Sequence, residues 1–143
     1  MTVETILAAK GHEVITIRPE HTLQQAAAIL AAKHIGAIVV TDESGALKGI
    51  LSERDIVRAV AKSGAHCLAE TVSGHMTGKV VTTTRSSSIL ATMEQMTEGR
   101  FRHIPVVHNG KLEGVISIGD LVKHRIAEIE REGKALRDYI ATA

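Results

Sequence analysis

The chain has 143 residues, 44% of them apolar, with 17 basic and 16 acidic side chains and a net charge of +1; at that length one merged core is expected, because it buries a larger fraction of the chain than two separate ones. The balanced charge and the presence of only two aromatic residues, Phe101 and Tyr139, argue against a nucleic-acid or anionic-membrane surface and against stacking platforms for single strands. No apolar run approaches the ~20 residues of a membrane span, and Met1-Thr-Val-Glu4 has neither the basic region nor the cleavage site of a signal peptide, so a cytoplasmic protein without membrane contact is expected.

Val3, Ile6 and Leu7 share one face of a helix from Thr2 to Ala9, which Lys10-Gly11 stops. So short a helix is marginal alone and is expected to dock on the body of the fold or on a partner subunit. A strand around Val14 to Ile17 ends at Pro19. Thr22 then caps a helix, with Gln25 completing a capping box and Leu23, Ala26, Ala27 and Leu30 forming the apolar face. The strand Ala37 to Thr41, a turn at Asp42 to Gly45, the strand Leu47 to Leu51 and a helix from near Glu53 follow. Ser63 to about Gly78 reads as a connector with a short helical turn near Val72 to Met76. It contains the single cysteine, Cys67, which excludes an intramolecular disulfide and reads as a packing thiol.

From there the pattern repeats. At an offset of 66 residues Val14 to Leu23 falls on Val80 to Ile89, with Thr16 on Thr82. Ala37-Ile-Val-Val40 matches Ile104-Pro-Val-Val107, and Gly49 to Arg58 matches Gly114 to Lys123. Ile89, Met93 and Met96 supply the apolar face of the second copy's first helix, and Asn109-Gly110 marks its hairpin. The last helix continues through Ile126, Ile129, Leu136 and Tyr139, with Gly133 as a weak point. Duplication constrains the fold before local propensity does. The expected organisation is a first repeat with its N-terminal helix over residues 1–65, a connector over 66–78, and a second repeat with a long C-terminal helix over 79–143, together one α/β module.

The chemistry concentrates in Gly49-Ile-Leu-Ser52-Glu-Arg-Asp55 and Gly114-Val-Ile-Ser117-Ile-Gly-Asp120. Ser-x-x-Asp ahead of an apolar run is also a plain capping pattern, in which both side chains satisfy backbone donors. Its recurrence at the same register of a repeat, at a strand-to-helix turn, adds a second meaning. Helix N-termini there suit a phosphate, a hydroxyl can add a contact, and an aspartate accepts from a ribose diol.

These motifs, with Ile35-Gly-Ala-Ile-Val-Val40 and Arg102-His-Ile-Pro-Val-Val107, make the chain resemble a tandem pair of CBS (cystathionine β-synthase) domains of the small stand-alone bacterial kind, over roughly residues 3 to 127. The resemblance implies two βαββα repeats packed sheet to sheet about a pseudo-twofold axis, with two clefts that bind AMP, ADP or ATP, less often NAD or S-adenosylmethionine. Carried over by position, it implies ribose contacts at Asp55 and Asp120. Ser52 and Ser117 would reach ribose or phosphate, and Thr16 and Thr82 base or phosphate. The backbones of Gly36-Ala37-Ile38 and His103-Ile104-Pro105 would line an adenine pocket.

Arg100, Arg102 and His103 precede the strand of the second copy where the first has Lys33 to Gly36, so the clefts are expected to be inequivalent. The one faced by the arginines, with Arg54 contributing, should bind phosphate more strongly. The eight histidines, His12 among them, show no metal-ligand spacing, and no nucleophile, base and acid pattern or phosphate-binding Gly-rich loop occurs. The expectation is a non-enzymatic adenosine-nucleotide sensor with no catalytic cofactor, forming a homodimer through its terminal helices and acting on an unidentified protein target. The alternative is a ligand-independent interaction or dimerisation module whose clefts are filled by side chains. A third reading, nucleic-acid binding by the basic clusters, would show steep salt dependence.

Overall fold

The structure is a computed structural model that describes residues 1–11 and 13–142; His12 lies outside them. In chain order it has α1 (Val3–Lys10), β1 (Thr16–Ile17), α2 (Leu23–Lys33), β2 (Ala37–Thr41), β3 (Leu47–Ser52) and α3 (Glu53–Ser63). Two 3-10 turns follow, Ala65–Ala69 and Val72–Gly74, and then α4 (Ile89–Gly99), β4 (His103–His108), β5 (Lys111–Ser117) and α5 (Ile118–Thr142). Each copy contains a β-α-β-β-α unit. In the first, β1 pairs parallel to β2 and β2 antiparallel to β3. In the second, β4 pairs antiparallel to β5, and the counterpart of β1 is reduced to a parallel bridge from Thr83 to Val106.

Local chemistry forms the elements. Thr22 and Gln25 make the reciprocal capping box that starts α2, and Ser88 accepts from the Ala91 amide to start α4. The two-residue turn at Asn109-Gly110 has positive φ at both positions, 50° and 77°, matching the twist of the flanking strands. At Asp42 the carboxylate accepts from the amides of Ser44 and Ala46 and the hydroxyl of Ser44, which closes the first hairpin. Gly133 does not interrupt α5, which runs unbroken for 25 residues.

The structure corrects the sequence register of the second strand. Ala37 pairs with Ser52 and His103 with Ser117, so the counterpart of Ala37 is His103, not Ile104, and that of Gly36 is Arg102. The backbone agrees, since Glu53 N donates to Gly36 O and Ile118 N to Arg102 O. His34 and Arg100 are likewise the equivalent left-handed caps of α2 and α4. An apolar run matches a similar run nearly as well one residue out of step. Only strand pairing settles which residues share a face.

The expectation of one merged core is not met. The apolar interior falls into two clusters, one around Leu23, Leu30, Ile38, Val40 and Leu51, the other around Ile89, Met96, Ile104, Val106 and Ile116. The chain ties them together by exchange. Helix α1, which precedes the first copy, packs Val3, Ile6 and Leu7 into the second core, whereas Val72 and Met76, which precede the second copy, pack into the first. Thr2 bridges Ser88 at the start of α4, as Thr71 bridges Thr22 at the start of α2. The motif glycines admit these segments. A Cβ at Gly49 would stand 2.6 Å from the Met76 sulfur and 2.7 Å from the Thr77 carbonyl oxygen, and one at Gly114 would stand 2.5 Å from a Leu7 methyl carbon. Val39 and Pro105 occupy equivalent positions pointing away from their own cores, and both are buried. The sheet faces cover each other there, with the His103 ring beside Gly36.

Candidate functional site

Two clefts open where the copies meet. Cleft 1 has a volume of about 420 Å³, within the range of small-molecule sites. One wall is the turn from β3 into α3, with Ser52, Glu53, Arg54, Asp55 and Arg58; the other is the turn from α4 into β4, with Arg100, Phe101, Arg102 and His103. Ile50, Thr77, Lys79 and Val81 contribute the floor and rim. Cleft 2, about 330 Å³, is the pseudo-symmetric counterpart, lined by His34, Ile35, Gly36 and Ala37 of the first copy and by Val115 and Ser117 of the second, with Lys10 and Glu13.

The two motifs form capping boxes. Ser52 Oγ accepts from the Asp55 amide at 3.2 Å while Asp55 Oδ2 accepts from the Ser52 amide at 2.9 Å. The corresponding distances for Ser117 and Asp120 are 3.1 and 2.9 Å. The capping role therefore holds in both copies, and it fixes the carboxylate at the helix start. Among the described residues it leaves the hydroxyl proton of each serine without an acceptor, and at Asp55 it leaves Oδ1 with only an Arg58 nitrogen 3.8 Å away. Both can still meet a ligand.

Asp120 differs. Its Oδ2 also accepts from Lys10 Nζ at 2.8 Å, and the same ammonium donates to the Val115 carbonyl at 2.8 Å. Burial pushes the Asp120 carboxyl up, but the Lys10 ammonium and the Ser117 backbone and hydroxyl outweigh it, so its pKa lies below the ordinary carboxylate value. Lys10 is on the lining of cleft 2 and Asp120 is not.

His103 belongs to both clefts. Burial first, then the Lys10 ammonium, lowers its pKa against the opposing pull of Glu53 and Asp120, leaving a neutral ring at pH 7. Cleft 1 then carries five cationic side chains, Arg54, Arg58, Lys79, Arg100 and Arg102, against the carboxylates of Glu53 and Asp55. Cleft 2 carries Lys10 and Glu13. Cleft 1 thus sets a cationic excess beside a helix N-terminus, an arrangement chemically suited to anionic oxygen, with a carboxylate acceptor and an aromatic ring, Phe101, on the same lining.

Of the residues singled out from sequence, Gly36, Ala37, Ser52, Arg54, Asp55, Arg102 and His103 come together at cleft 1. Ser117 lines cleft 2, with Asp120 behind Lys10. Ile38 and Ile104 point into the two cores and Pro105 is buried, and none of the three, expected to line an adenine pocket through its backbone, is on the lining of either cleft. Thr16 and Thr82 are exposed, and the lining takes in their preceding neighbours, Ile15 and Val81, instead. The second-copy equivalent of Gly36-Ala37-Ile38 is Arg102-His103-Ile104, one residue earlier than expected. Lys10, Arg58 and Lys79 carry no motif. Lys10 ends α1, Arg58 lies one turn into α3 and Lys79 follows the Val72–Gly74 turn by five residues, so no common sequence signal marks them.

The family model described as "CBS domain" matches residues 9–62 and 70–127. The chain is 31% identical over 147 residues to the CBS domain-containing protein CBSX3, mitochondrial, of Arabidopsis thaliana, covering 97% of this chain and 71% of that protein. Other curated relatives in that plant are longer, and the chain spans about a quarter of their length. Among solved structures, the CBS-domain containing protein ATU1752 from Agrobacterium tumefaciens superimposes with a TM-score of 0.86 at 49% identity, over 87% of this chain and 99% of that one. The CBS domain pair of protein MJ0100, solved in complex with 5′-methylthioadenosine and S-adenosyl-L-methionine, superimposes with a TM-score of 0.77 at 25% identity, over 86% and 98%.

Proposed function

The chain belongs to the CBS domain family, and on that premise we propose that it is a non-enzymatic regulatory module that binds an adenosine nucleotide in cleft 1. A CBS pair with adenosine-derived ligands, that of MJ0100, supports the ligand class. The observation that narrows it is the cationic excess of cleft 1 beside Asp55. A ribose diol at the Asp55 carboxylate places the phosphates toward Arg100 and Arg102. Those cations repel the sulfonium of S-adenosylmethionine and attract a diphosphate or triphosphate, so ADP and ATP are the preferred ligands.

A thermal-shift panel tests this. ADP at a hundredfold excess over its dissociation constant should stabilise the chain by about 2.7 kcal/mol, with S-adenosylmethionine much weaker. No shift with any adenosine compound, or the same shift in Asp55→Ala with Arg102→Ala, refutes the reading. Cytoplasmic location is part of the same proposal and is checked by fractionation.

We propose in addition that the chain pairs with a second copy through α5. Val122, Ile126, Ile129, Leu136, Tyr139 and Ile140 stay 40–72% exposed along that helix, on one stripe by their spacings of three, four and seven. Sedimentation should give a dimer that Leu136→Lys shifts toward monomer; a monomeric wild type, or a dimer indifferent to that change, rules the pairing out. The same stripe is what a ligand-independent interaction module would use. Response to ADP separates the two.

A further inference from the structure

The two clefts share a pseudo-symmetric plan, yet one of them already holds a cation of the chain itself. The third residue after Leu7 is Lys10 and the third after Met76 is Lys79, and Leu7 and Met76 are the equivalent side chains packed against Gly114 and Gly49. The two lysines therefore enter opposite clefts from equivalent positions. Lys79 reaches no hydrogen-bond or ion-pair partner among the described residues. Lys10 is bound to Asp120 Oδ2 and to the Val115 carbonyl, at 2.8 Å each.

The difference lies in the backbone. Helix α1 runs continuously for eight residues, carrying Lys10 in its last turn before Gly11 turns the chain at φ 95°. In the other segment the helix is one 3-10 turn, Val72–Gly74. The chain then extends so that Thr77 pairs with Ile50 in both directions, 3.1 and 2.9 Å, and leaves through Gly78.

We infer that Lys10 is a tethered occupant of cleft 2: steadied by the Val115 carbonyl, it takes the Asp120 carboxylate that a ribose would use, so that a nucleotide enters only by displacing it, and Lys10 thereby sets which cleft fills first. This rests on the reading of the clefts as adenosine-nucleotide sites. The pair is partly exposed, with 43% of the Lys10 and 27% of the Asp120 side chain accessible, so it can yield to a ligand rather than seal the cleft. Exposed pairs of this kind correspond to roughly two- to fivefold in affinity, and the added carbonyl contact extends that to roughly tenfold. Cleft 1 has no such competitor at Asp55 among the described residues, since the neighbouring Arg58 is 3.8 Å away and three-quarters exposed.

Calorimetric titration with ADP in an Asp55→Ala background isolates cleft 2. There, Lys10→Ala should tighten binding by roughly three- to tenfold, and Lys10→Met, which keeps the bulk of the stem, should do the same. Adding Asp120→Ala should abolish the gain. Binding that is unchanged or weakened by loss of the ammonium overturns the inference, because Lys10 would then be idle or a phosphate ligand. Absence of binding in that background both with Lys10 intact and with Lys10→Ala overturns it too, while the Asp55-dependent site in the otherwise wild-type chain decides separately whether the nucleotide reading stands.

Discussion

Replacing the two motif glycines by alanine should have unequal effects, although the motifs read alike. At Gly49 the added methyl would lie 2.7 Å from the Thr77 carbonyl oxygen, where unstrained contacts begin near 3.4 Å, and that carbonyl is held by the Ile50 amide. Relief requires moving the Thr77 backbone. Overpacking of this sort costs about 1–3 kcal/mol, and loss of the reciprocal Ile50 and Thr77 bonds adds about 1 kcal/mol each. Removing glycine from a strand returns about 0.5–1 kcal/mol. The net loss for Gly49→Ala is about 2–4 kcal/mol. At Gly114 the obstacle is a Leu7 methyl carbon at 2.5 Å, the far end of a side chain that can turn for about 0.5–1.5 kcal/mol, so the same return leaves a loss of about 1 kcal/mol or less. Urea denaturation reads the difference, about 2–3 kcal/mol, and melting should separate the variants by about 5–10 °C. Equal losses, or a larger one at Gly114, would refute the account of how the exchanged segments pack.

Further expectations follow from single residues. Arg102→Ala should weaken ADP about tenfold or more, through loss of a charge-assisted contact, while leaving adenosine nearly unaffected; titration of both ligands checks this. Thr22→Ala should cost about 1 kcal/mol and Gln25→Ala little more on top of it, because the two residues serve one capping box. Asp42, lowered to about 2 chiefly by its bond to the Ser44 hydroxyl, and Asp120, also lowered, favour the fold above the unfolded carboxylate value of about 3.9. That contribution is lost as the pH falls through their folded values, so acid unfolding should shift in Asp42→Ala. His103 has the opposite charge type but acts in the same direction. Its lowered pKa means that the unfolded chain takes the proton first, so stability falls as the pH drops below about 6.5. By NMR the His103 titration should move up in Lys10→Ala, yet stay below the free value because burial remains the larger cause.

Much of this was legible in the chain. The repeat, both hairpins, the capping box at Thr22 and the two Ser-x-x-Asp turns rest on local chemistry, and local chemistry is what a sequence states directly. One serine and one aspartate for each cleft followed from the duplicated turns and the family resemblance, but that Arg102 of the second copy faces Ser52 and Asp55 of the first emerges only from the packing. What the sequence misplaced depends on contacts between distant segments. The slip that aligned Ala37 with Ile104 arose because Ile-Val-Val and Ile-Pro-Val-Val fit in either register, and only pairing with Ser52 and Ser117 decides it. The exchange of α1 for the 71–77 segment has a weak trace in Thr2-Val3 and Thr71-Val72, too short to stand out before the packing against Gly114 and Gly49 is seen. Lys10 was legible only as a helix-ending residue. Its reach to Asp120, 110 positions away, is a product of the exchange.

Cleft 1, between Asp55 and Arg102, is the nucleotide site proposed for this chain. A crystal structure of the chain grown with ADP tests it most directly. ADP should lie in cleft 1, its ribose hydroxyls on the Asp55 carboxylate and its phosphates against Arg100 and Arg102, with Lys10 still on Asp120 or displaced from it only at higher ADP. ADP bound away from Asp55, or cleft 2 filled while cleft 1 stays empty, would contradict it.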